Sequence, residues 1–445
     1  MVMDGYILDV YAGTVRVGTL GYDQAQDAFH FDYDVAWRAL PSRYPLSPHL
    51  PLEGGAAPQA IRRFLENLLP EGEALVVAAN DARVARNNVF GLLRHLGHET
   101  AGALSFIAAG QVPAEQAPLR RHLPFEELQA RIDNRANEPF NRWDGKVRMS
   151  IAGHQDKLLV AIEEDQLFLV DGVLSSTHIL KPEPAREKTR FMVANEHFCM
   201  QLANRISMRR WKAPSAAHVS ILRVPSPVLS IERFDRRRTP DGVERLHIID
   251  GCQALDLSVS AKYERNVGDQ PEVRHIRDGA SFEKLGTLRP GFVEPALGMQ
   301  RLVLWAVATL LFGNSDSHGK NISFFVDRTG LTPTPLYDLV SVVQYAGFHH
   351  ELAMAFGDEF ELEAVRSFAL ADFCMRMGID RRYFARELTR LCEFALQEAP
   401  AQAADPAYMG EEVAFVQGLA QFVATRAQAL LAMARDIPKF TADNF

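Results

Sequence analysis

The chain has 445 residues, of which 47% are hydrophobic and 23% charged. This length exceeds what one hydrophobic core usually supports, so two or three subdomains are predicted. This composition excludes a disordered chain and a small disulfide scaffold. The 48 Lys and Arg against 56 Asp and Glu give a net charge of -8, which argues against binding nucleic acid or membrane by bulk charge alone.

The N-terminal part is predicted to be an α+β subdomain, over residues 1–110. Its first 35 residues alternate apolar and polar side chains around glycines, which is typical of a half-buried sheet. From Pro58 the apolar residues follow helical spacing, and Pro70 ends that helix. The N-terminus lacks the pattern of a secretory signal, so a cytoplasmic protein is expected.

A connecting segment, residues 111–145, follows and holds prolines, charge runs and an amphipathic piece around Phe125 to Ile132. Beyond it we predict a β-rich lobe, residues 146–240, and a helical lobe, residues 241–445. The β-rich lobe is expected to contain, in order, a hairpin over Val147 to Ile162 and Gln166 to Val170, a strand over Thr177 to Leu180, a helix from Phe191 to Ile206, and two strands within Val219 to Phe234.

The helical lobe is predicted from its apolar spacing. Its helices are expected at Met299 to Phe312, Glu361 to Met377, Arg382 to Gln397 and Glu411 to Ala434. The apolar run Leu302 to Phe312 is too short to span a bilayer and indicates a buried core helix. Four widely spaced cysteines without CxxC spacing indicate buried thiols in a reducing compartment.

The polar run Gly313 to Asn321 (GNSDSHGKN) carries the strongest local signal. It follows an apolar helix and precedes an apolar strand, so we expect it to present its side chains. Asp316 and Asn321 are spaced as DxxxxN, the pattern by which a phosphotransferase orients an acceptor hydroxyl with the Asp and binds Mg²⁺ with the Asn. A turn whose Asp and Asn side chains only cap backbone groups remains an alternative.

A second carboxylate, Asp338 in the sequence YDLVS, follows 22 residues after Asp316. Kinase-type sites need a second hard oxygen ligand for Mg²⁺, and Asp338 is the candidate. A helix N-cap is the alternative for this position.

Two further segments suggest phosphate binding. Ser150 to Lys157 (SIAGHQDK) could bring backbone N–H groups close to phosphates, with Lys157 adding charge, or be an ordinary turn. Lys181 ends a strand and precedes a helix carrying Glu196, as the phosphate-binding lysine and its orienting carboxylate do in kinases. A solvated lysine and a surface glutamate are the alternative.

Taken together, these segments resemble the HipA family of bacterial serine/threonine kinases, the toxins of HipBA toxin–antitoxin modules. The resemblance covers nearly the whole chain in the family's order. It runs through VGTL, LSPHLPL and FLENLLPE in the N-terminal subdomain, and through SIAGHQDK, THILKP, NEHFCMQLA, ERFDR, DSHGKN and YDLVS in the remainder.

The resemblance implies an α+β, two-lobed protein-kinase-like fold with ATP between the lobes. It implies that Asp316 is the catalytic base, that Asn321 and Asp338 are Mg²⁺ ligands, and that Ser150 is the autophosphorylation site that silences the kinase. The remaining implied contacts with ATP come from Ile151, Ala152, Gly153, His154, Gln155, Asp156 and Lys157 of the phosphate loop, from Lys181 oriented by Glu196, from Glu232 and Phe234 of the adenine hinge, and from His318 and Lys320.

The resemblance also implies partners. These are a HipB-type helix-turn-helix antitoxin, operator DNA reached mainly through that antitoxin, and an aminoacyl-tRNA synthetase, above all glutamyl-tRNA synthetase, whose phosphorylation arrests growth. No membrane partner is expected. The stretch Arg205 to Arg238, with nine Lys/Arg against two Asp/Glu, could contact DNA phosphates or be a solvated face.

One residue departs from the family pattern. The glycine loop usually reads AGAQxK, and His154 replaces its small residue, which puts the affinity for ATP in doubt. Two other functions remain open from the residues: a kinase-shaped corepressor that acts through the antitoxin, and a small-molecule or lipid kinase, because DxxxxN spacing does not define the acceptor.

Overall fold

The computed structural model describes residues 6–113, 117–148, 155–240, 242–268 and 270–445. The chain forms two compact units. Unit 1 comprises Met1–Pro182, Leu222–Val259 and Ser323–Leu331. Unit 2 comprises Glu183–Ile221, Ser260–Ile322 and Thr332–Phe445.

The strands are mostly short and antiparallel. In chain order they are β1 (Ile7–Ala12), β2 (Val15–Asp23), β3 (Ala28–Tyr33), β4 (Leu104–Ala108), β5 (Leu119–His122), β6 (Arg142–Trp143), β7 (Lys146–Val147), β8 (Leu158–Glu163), β9 (Gln166–Asp171), β10 (His178–Pro182), β11 (Val219–Arg223), β12 (Pro227–Glu232), β13 (Arg236–Thr239), β14 (Gly242–Arg245), β15 (Ile248–Asp250), β16 (Ser323–Asp327), β17 (Gly330–Pro333), β18 (Glu351–Phe356) and β19 (Glu359–Glu361).

The longest helices lie in the last third of the chain. In chain order the helices are α1 (Val35–Ala39), α2 (Pro58–Glu66), α3 (Gly72–Ala82), α4 (Val89–Leu96), α5 (Phe125–Asp133), α6 (Met192–Trp211), α7 (Gly251–Ala254), α8 (Phe282–Gly286), α9 (Pro295–Phe312), α10 (Ser367–Arg376), α11 (Arg381–Ala403) and α12 (Glu411–Ala434).

Unit 1 begins with a four-stranded antiparallel sheet in the order β3-β2-β1-β4. The predicted alternation holds, since Leu8, Val10 and Leu20 are fully buried. Helix α2 begins at Pro58, which is favourable in a first turn, and packs on β3. The expected α+β character of this part is therefore confirmed.

The second sheet of unit 1 has the order β11-β12-β10-β8-β9-β5, and its edge strand β11 begins in unit 2. Strands β8 and β9 form the predicted hairpin. Glu164 and Asp165 at its turn both have positive φ, 47° and 63°, as a two-residue hairpin turn of matching twist requires. Helix α5 packs its apolar face into the core of this sheet, since Leu128 and Ile132 join a cluster with Leu158.

Unit 2 is mainly helical, and α11 packs against α6, α9 and α12. Among the described residues, α9 is the one helix long and apolar enough to cross a membrane, and 72% of it is buried, as in a core helix. All four cysteines, Cys199, Cys252, Cys374 and Cys392, are buried, as expected.

One predicted helix begins later than expected. Residues 361–366 do not continue the helix proposed for Glu361 to Met377, because β19 ends at Glu361 and a turn follows, in which the amides of Ala364 and Val365 donate to the Glu361 carbonyl. Helix α10 then starts at Ser367. The segment predicted as the β-rich lobe is shared, since residues 183–221 belong to unit 2.

Candidate active site

The predicted catalytic loop lies in unit 2 directly after α9. Gly313 ends the helix in the left-handed region, with φ 62°, and a Cβ there would lie 2.6 Å from Val343 Cγ2. The expectation that this loop presents its side chains is wrong for most of it: eight of the nine residues from Gly313 to Asn321 are buried. Asp316 is the exposed one, so the fold covers the loop and leaves a single carboxylate outside.

The backbone of Asp316 is held by two side-chain amides of its own loop. Its amide donates to Asn314 Oδ1 at 3.3 Å, and its carbonyl accepts from Asn321 Nδ2 at 3.0 Å. Asn321 is 7% exposed, and this bond leaves its Oδ1 on the other branch of the amide. An amide oxygen is a hard ligand of the kind Mg²⁺ accepts.

Asp338 is joined to this loop by the same Asn314 side chain. Asn314 is 1% exposed, and its Nδ2 donates to the Asp338 carbonyl at 3.4 Å. Beside it, Tyr337 Oη donates to the Lys320 carbonyl at 2.7 Å. Asp316, Asn321 and Asp338 therefore belong to one hydrogen-bonded assembly.

The backbone of Asp338 has φ 57°, a left-handed conformation that Asp tolerates better than most residues but that still carries strain. The N-cap alternative does not hold, because the next helical turn begins at Val342. Among the described residues no group of three or more His, Cys, Asp or Glu side chains surrounds a common point.

His318 is buried and neutral. Burial, followed by the nearby ammonium of Lys262, holds the pKa of His318 well below its ordinary value. The Lys320 amide donates to His318 Nδ1 at 3.2 Å, which places the ring proton on Nε2. His318 and Lys320 are each 6% exposed.

Tyr263 contacts the catalytic loop and is a residue that the sequence did not predict. Its hydroxyl donates to Asp316 Oδ1 at 2.6 Å, and its ring meets that of His318 edge-on, with centroids 5.1 Å apart. The preceding carbonyl, of Lys262, accepts from the Gly319 amide at 2.9 Å. Tyr263 lies 53 residues before Asp316 without a spacing motif, so no sequence signal marked it.

Helix α6 carries Glu196, which is 1% exposed rather than on the surface. The start of the helix is held by the Glu183 carboxylate, which accepts from the amides of Met192 at 2.9 Å and Val193 at 3.0 Å. Burial raises the pKa of Glu183.

The residue before Glu196 links the helix to the segment after Asp338. Asn195 Nδ2 donates to the Ser341 carbonyl at 3.1 Å, and Asn195 Oδ1 accepts from the Ser341 amide at 2.8 Å. Asn195 is fully buried. The helix bearing Glu196 and the segment bearing Asp338 are thus fixed to each other within unit 2.

The predicted nucleotide-binding residues of unit 1 are partly described. Lys181 lies in β10 and is 5% exposed, and Lys157 precedes β8 and is 7% exposed, so neither is a solvated strand-end lysine. Gln155 is half-buried and Asp156 exposed. Ser150, Ile151, Ala152, Gly153 and His154 lie outside the described residues.

The predicted hinge lies at the end of β12. Glu232 is exposed there, and the half-buried Phe234 meets Phe325 edge-on at 6.1 Å between centroids. The Arg233 amide donates to the Thr177 carbonyl at 2.9 Å, which aligns this segment beside the end of β10.

The hinge is continuous with a group of charges, buried at its centre, that we call the ion cluster, made of Glu99, Arg233, Asp235, Arg236 and Arg245. Arg233 Nη2 and Arg236 Nη1 bind Asp235 Oδ2 at 2.8 and 2.9 Å, and the Gly102 amide donates to the same oxygen at 2.7 Å. Arg245 donates to the Leu104 carbonyl at 2.7 Å. The ion cluster therefore fixes residues 99–105 to the segment that follows β12.

Asp235 keeps its negative charge although it is buried. Burial opposes ionisation, but the guanidiniums of Arg233 and Arg236 outweigh it and hold the pKa of the Asp235 carboxyl below its ordinary value. Burial, followed by the charge of Arg236, lowers the pKa of Arg245 to about 9.

The basic stretch Arg205 to Arg238 is largely paired within the protein. Arg205 and Arg209 share Glu398, at 3.4 and 2.8 Å, and Arg210 binds Glu387 at 2.8 Å. In unit 1, Arg237 pairs with Glu244 across the β13–β14 hairpin. Much of the positive charge of this stretch is therefore used in ion pairs within the protein.

Unit 1 also holds a cavity of about 600 Å³. It lies between the β2–β3 turn, the end of α2 and the start of α4, and Tyr22, Arg62 and Phe90 are among its lining residues. The predicted site residues are not among those that line it.

The comparisons with known proteins cover both parts of the chain. The HipA N-terminal domain family matches residues 8–107, and the HipA-like C-terminal domain family matches residues 149–399. The second match alone includes the hinge, the catalytic loop and Asp338.

Individual relatives agree with these families. The chain is 40% identical to the serine/threonine-protein kinase toxin HipA of Shewanella oneidensis over 86% of both chains, and 31% identical to the putative kinase Y4mE of Sinorhizobium fredii over 95% of this chain and 98% of the other. A solved complex of Shewanella oneidensis HipA with HipB and its operator DNA matches with a TM-score of 0.87 and 36% identity, covering 98% of this chain and 100% of the solved chain.

Proposed function

Because this chain belongs to the HipA family of serine/threonine-protein kinase toxins, we propose that it transfers the γ-phosphoryl group of ATP to a serine or threonine hydroxyl of a protein. One observation carries the proposal: in a buried loop, Asp316 alone faces outward while its backbone is bonded to Asn314 and Asn321. A general base must be accessible to its substrate and fixed in position.

The acceptor hydroxyl oxygen forms a bond to the γ-phosphorus, the bond from that phosphorus to the β–γ bridging oxygen breaks, and the electron pair leaves with ADP. The hydroxyl proton passes to the Asp316 carboxylate. Asn314 and Asn321 hold the backbone of Asp316 in place within the loop.

Asn321 and Asp338 are the proposed Mg²⁺ ligands, through amide and carboxylate oxygens. When bound, Mg²⁺ neutralises charge on the β- and γ-phosphates. Asn314 bonds to the backbone of both acids, Asp316 and Asp338, and so keeps the base and the metal ligand at a fixed spacing.

The other predicted roles stay proposals, and burial supports those of Lys157, Lys181 and Glu196. Lys181 and Lys157 would hold phosphate oxygens, with Lys181 oriented by Glu196, since a buried ammonium requires compensating negative charge. Glu232 and Phe234 would flank adenine, and His318 and Lys320 would face the phosphates. The loop from Ile151 to Lys157 would cover the phosphates.

We propose that Ser150 is autophosphorylated and that this silences the kinase. A dianionic phosphate beside the loop repels the phosphates of ATP. The proposed target is an aminoacyl-tRNA synthetase, glutamyl-tRNA synthetase first, with arrest of translation and growth, and persistence, as the consequence in the cytoplasm.

The proposed partner is a HipB-type antitoxin that carries most of the operator contacts. The HipA relative in the solved complex is bound with HipB and operator DNA, which supports this partner for the present chain. A net charge of -8 fits a subunit that leaves DNA binding to its partner.

The test is intact mass after incubation with ATP and Mg²⁺, with the modified residue mapped by fragmentation. The parent is expected to gain one phosphate on Ser150, and Asp316→Asn to gain none. Ser150→Ala is the matched control: it should gain none on itself yet phosphorylate purified glutamyl-tRNA synthetase for longer than the parent. A protein that begins unmodified and labels neither itself nor a synthetase would contradict the kinase and favour the corepressor.

A further inference from the structure

We propose that Tyr263 is the positioning residue of phosphoryl transfer: its hydroxyl holds Oδ1 of Asp316, which directs Oδ2 to the acceptor hydroxyl. This inference rests on the proposed function, because it assigns a task to a group that binds the candidate base. It adds a residue that neither the DxxxxN spacing nor the family segments include.

The bond between the two side chains is short. Tyr263 Oη lies 2.6 Å from Asp316 Oδ1, within the range of a hydrogen bond from a neutral hydroxyl to an ionised carboxylate. The Asn314 and Asn321 side chains fix only the backbone of Asp316. The bond from Tyr263 therefore acts on the carboxylate itself and restrains its rotation about the side-chain bonds.

Tyr263 itself sits on a rigid support. On one side, the Lys262 carbonyl accepts from the Gly319 amide at 2.9 Å. On the other, Glu264 donates its amide to the Ala353 carbonyl at 2.9 Å, and its Oε2 accepts from the Ala355 amide at 2.8 Å. The hydroxyl is thus delivered from a segment bonded at both neighbouring residues.

Two more features hold that support. Arg277 Nε donates to Glu264 Oε1 at 2.6 Å, and Glu264 is 2% exposed. Gly279 packs so closely that a Cβ there would lie 1.8 Å from the Tyr263 carbonyl oxygen. Only glycine allows so close a contact, so Gly279 also restrains the backbone of Tyr263.

The expected effect follows from positioning. A misplacement of about 1 Å in a reacting group costs on the order of 100-fold in rate, and loss of the tyrosine donor removes one restraint on the orientation of the Asp316 carboxylate. Tyr263→Phe keeps the ring and its edge-on contact with His318 and removes only the donor. We expect kcat to fall roughly 10- to 100-fold while KM for ATP changes less than about twofold.

The experiment measures kcat and KM for ATP with a protein acceptor in the parent, Tyr263→Phe and Tyr337→Phe. Tyr337 is the matched comparison, since its hydroxyl also binds this loop but donates to the Lys320 carbonyl. The proposal expects kcat to fall further in Tyr263→Phe than in Tyr337→Phe. A kcat within twofold of the parent, or a fall no larger than that of Tyr337→Phe, overturns it.

Folding is checked by thermal unfolding and by binding of a fluorescent ATP analogue. If Tyr263→Phe does not unfold cooperatively, Arg277→Met replaces it, because it leaves the tyrosine intact and loosens its support. An unchanged kcat in that variant then overturns the proposal. A parent that transfers no phosphate contradicts the proposed function instead, so the two failures are distinguishable.

Discussion

The ion cluster of unit 1 and the catalytic loop of unit 2 are both dense in charged and polar residues, yet they treat a carboxylate in opposite ways. In the ion cluster, Asp235 is 4% exposed and bound by two guanidiniums and a backbone amide. In the catalytic loop, Asp316 is exposed and the residues around it are buried. The difference teaches that charge in a motif indicates chemistry only where the fold leaves one group accessible.

The largest effect in this comparison is expected in the candidate active site of unit 2, on the rate of phosphoryl transfer. Asp338→Ala should lower Mg²⁺-dependent kcat by roughly three decades, because positioning and charge neutralisation supply most of the barrier reduction. The measurement is initial rate against Mg²⁺ concentration. Asp327→Ala, which removes an exposed carboxylate at the end of β16 in unit 1, is the control and should keep its rate. A loss below tenfold would place the metal ligand elsewhere.

The next effect is on the stability of unit 1. Asp235→Ala leaves Arg233 and Arg236 buried without their main counter-charge and should cost about 3–5 kcal/mol of unfolding free energy. Urea unfolding of the full chain measures this. Glu244→Ala, which breaks the exposed pair with Arg237 on the adjacent hairpin, should cost less than about 1 kcal/mol. Equal losses in both variants would refute a structural role for the ion cluster.

A smaller effect concerns pH. Burial, aided by the charge of Arg245, lowers the pKa of His247 to about 4, while its Nε2 bonds the Leu46 carbonyl at 2.9 Å. The unfolded chain binds this proton first, so stability is present above the unfolded pKa of about 6.5 and is lost as pH falls towards about 4.

The measurement compares unfolding free energy near about pH 7 and near about pH 5, where His247 should contribute a loss of about 2 kcal/mol. His247→Asn should flatten this slope. His30→Asn, at an exposed position, is the control and should retain it. A slope that His247→Asn leaves unchanged would show that other groups carry it.

The smallest effect is expected on the paired surface arginines. Arg209 is 54% exposed and shares Glu398 with Arg205, so Arg209→Ala should change stability by less than about 1 kcal/mol. It should also leave the salt dependence of operator binding by the antitoxin complex unchanged. A weaker salt dependence in the variant would indicate that this stretch contacts DNA phosphates.

The sequence predicted local structure best where one pattern dominated. The β8–β9 hairpin has β-rich runs separated by turn residues, and α12 has a continuous apolar spacing, so the predicted bounds Glu411 to Ala434 match the helix. The start of α10 was missed because Leu362 and Val365 continue an apolar spacing while their backbone forms a turn after β19. Local spacing does not report such tertiary pairing.

In the candidate active site, too, the sequence predicted local features and missed those that depend on distant segments. DxxxxN spacing identified Asp316 and Asn321, whose bond is local to one loop. It did not indicate that the loop is buried, nor that Tyr263 reaches Asp316, because both depend on segments distant in the chain. Burial also decided between alternatives that the sequence left open, since Glu196 and Lys181 both proved to be interior residues.

The Glu183 carboxylate at the start of α6 has a consequence for how the nucleotide is recognised. The first amides of a long helix form a natural anion site, and here a resident anion of the chain already fills it. A phosphate could bind there only by displacing Glu183. The start of α6 is therefore closed to a nucleotide phosphate, and the phosphate contacts proposed for Lys157 and Lys181 make no use of this helix terminus.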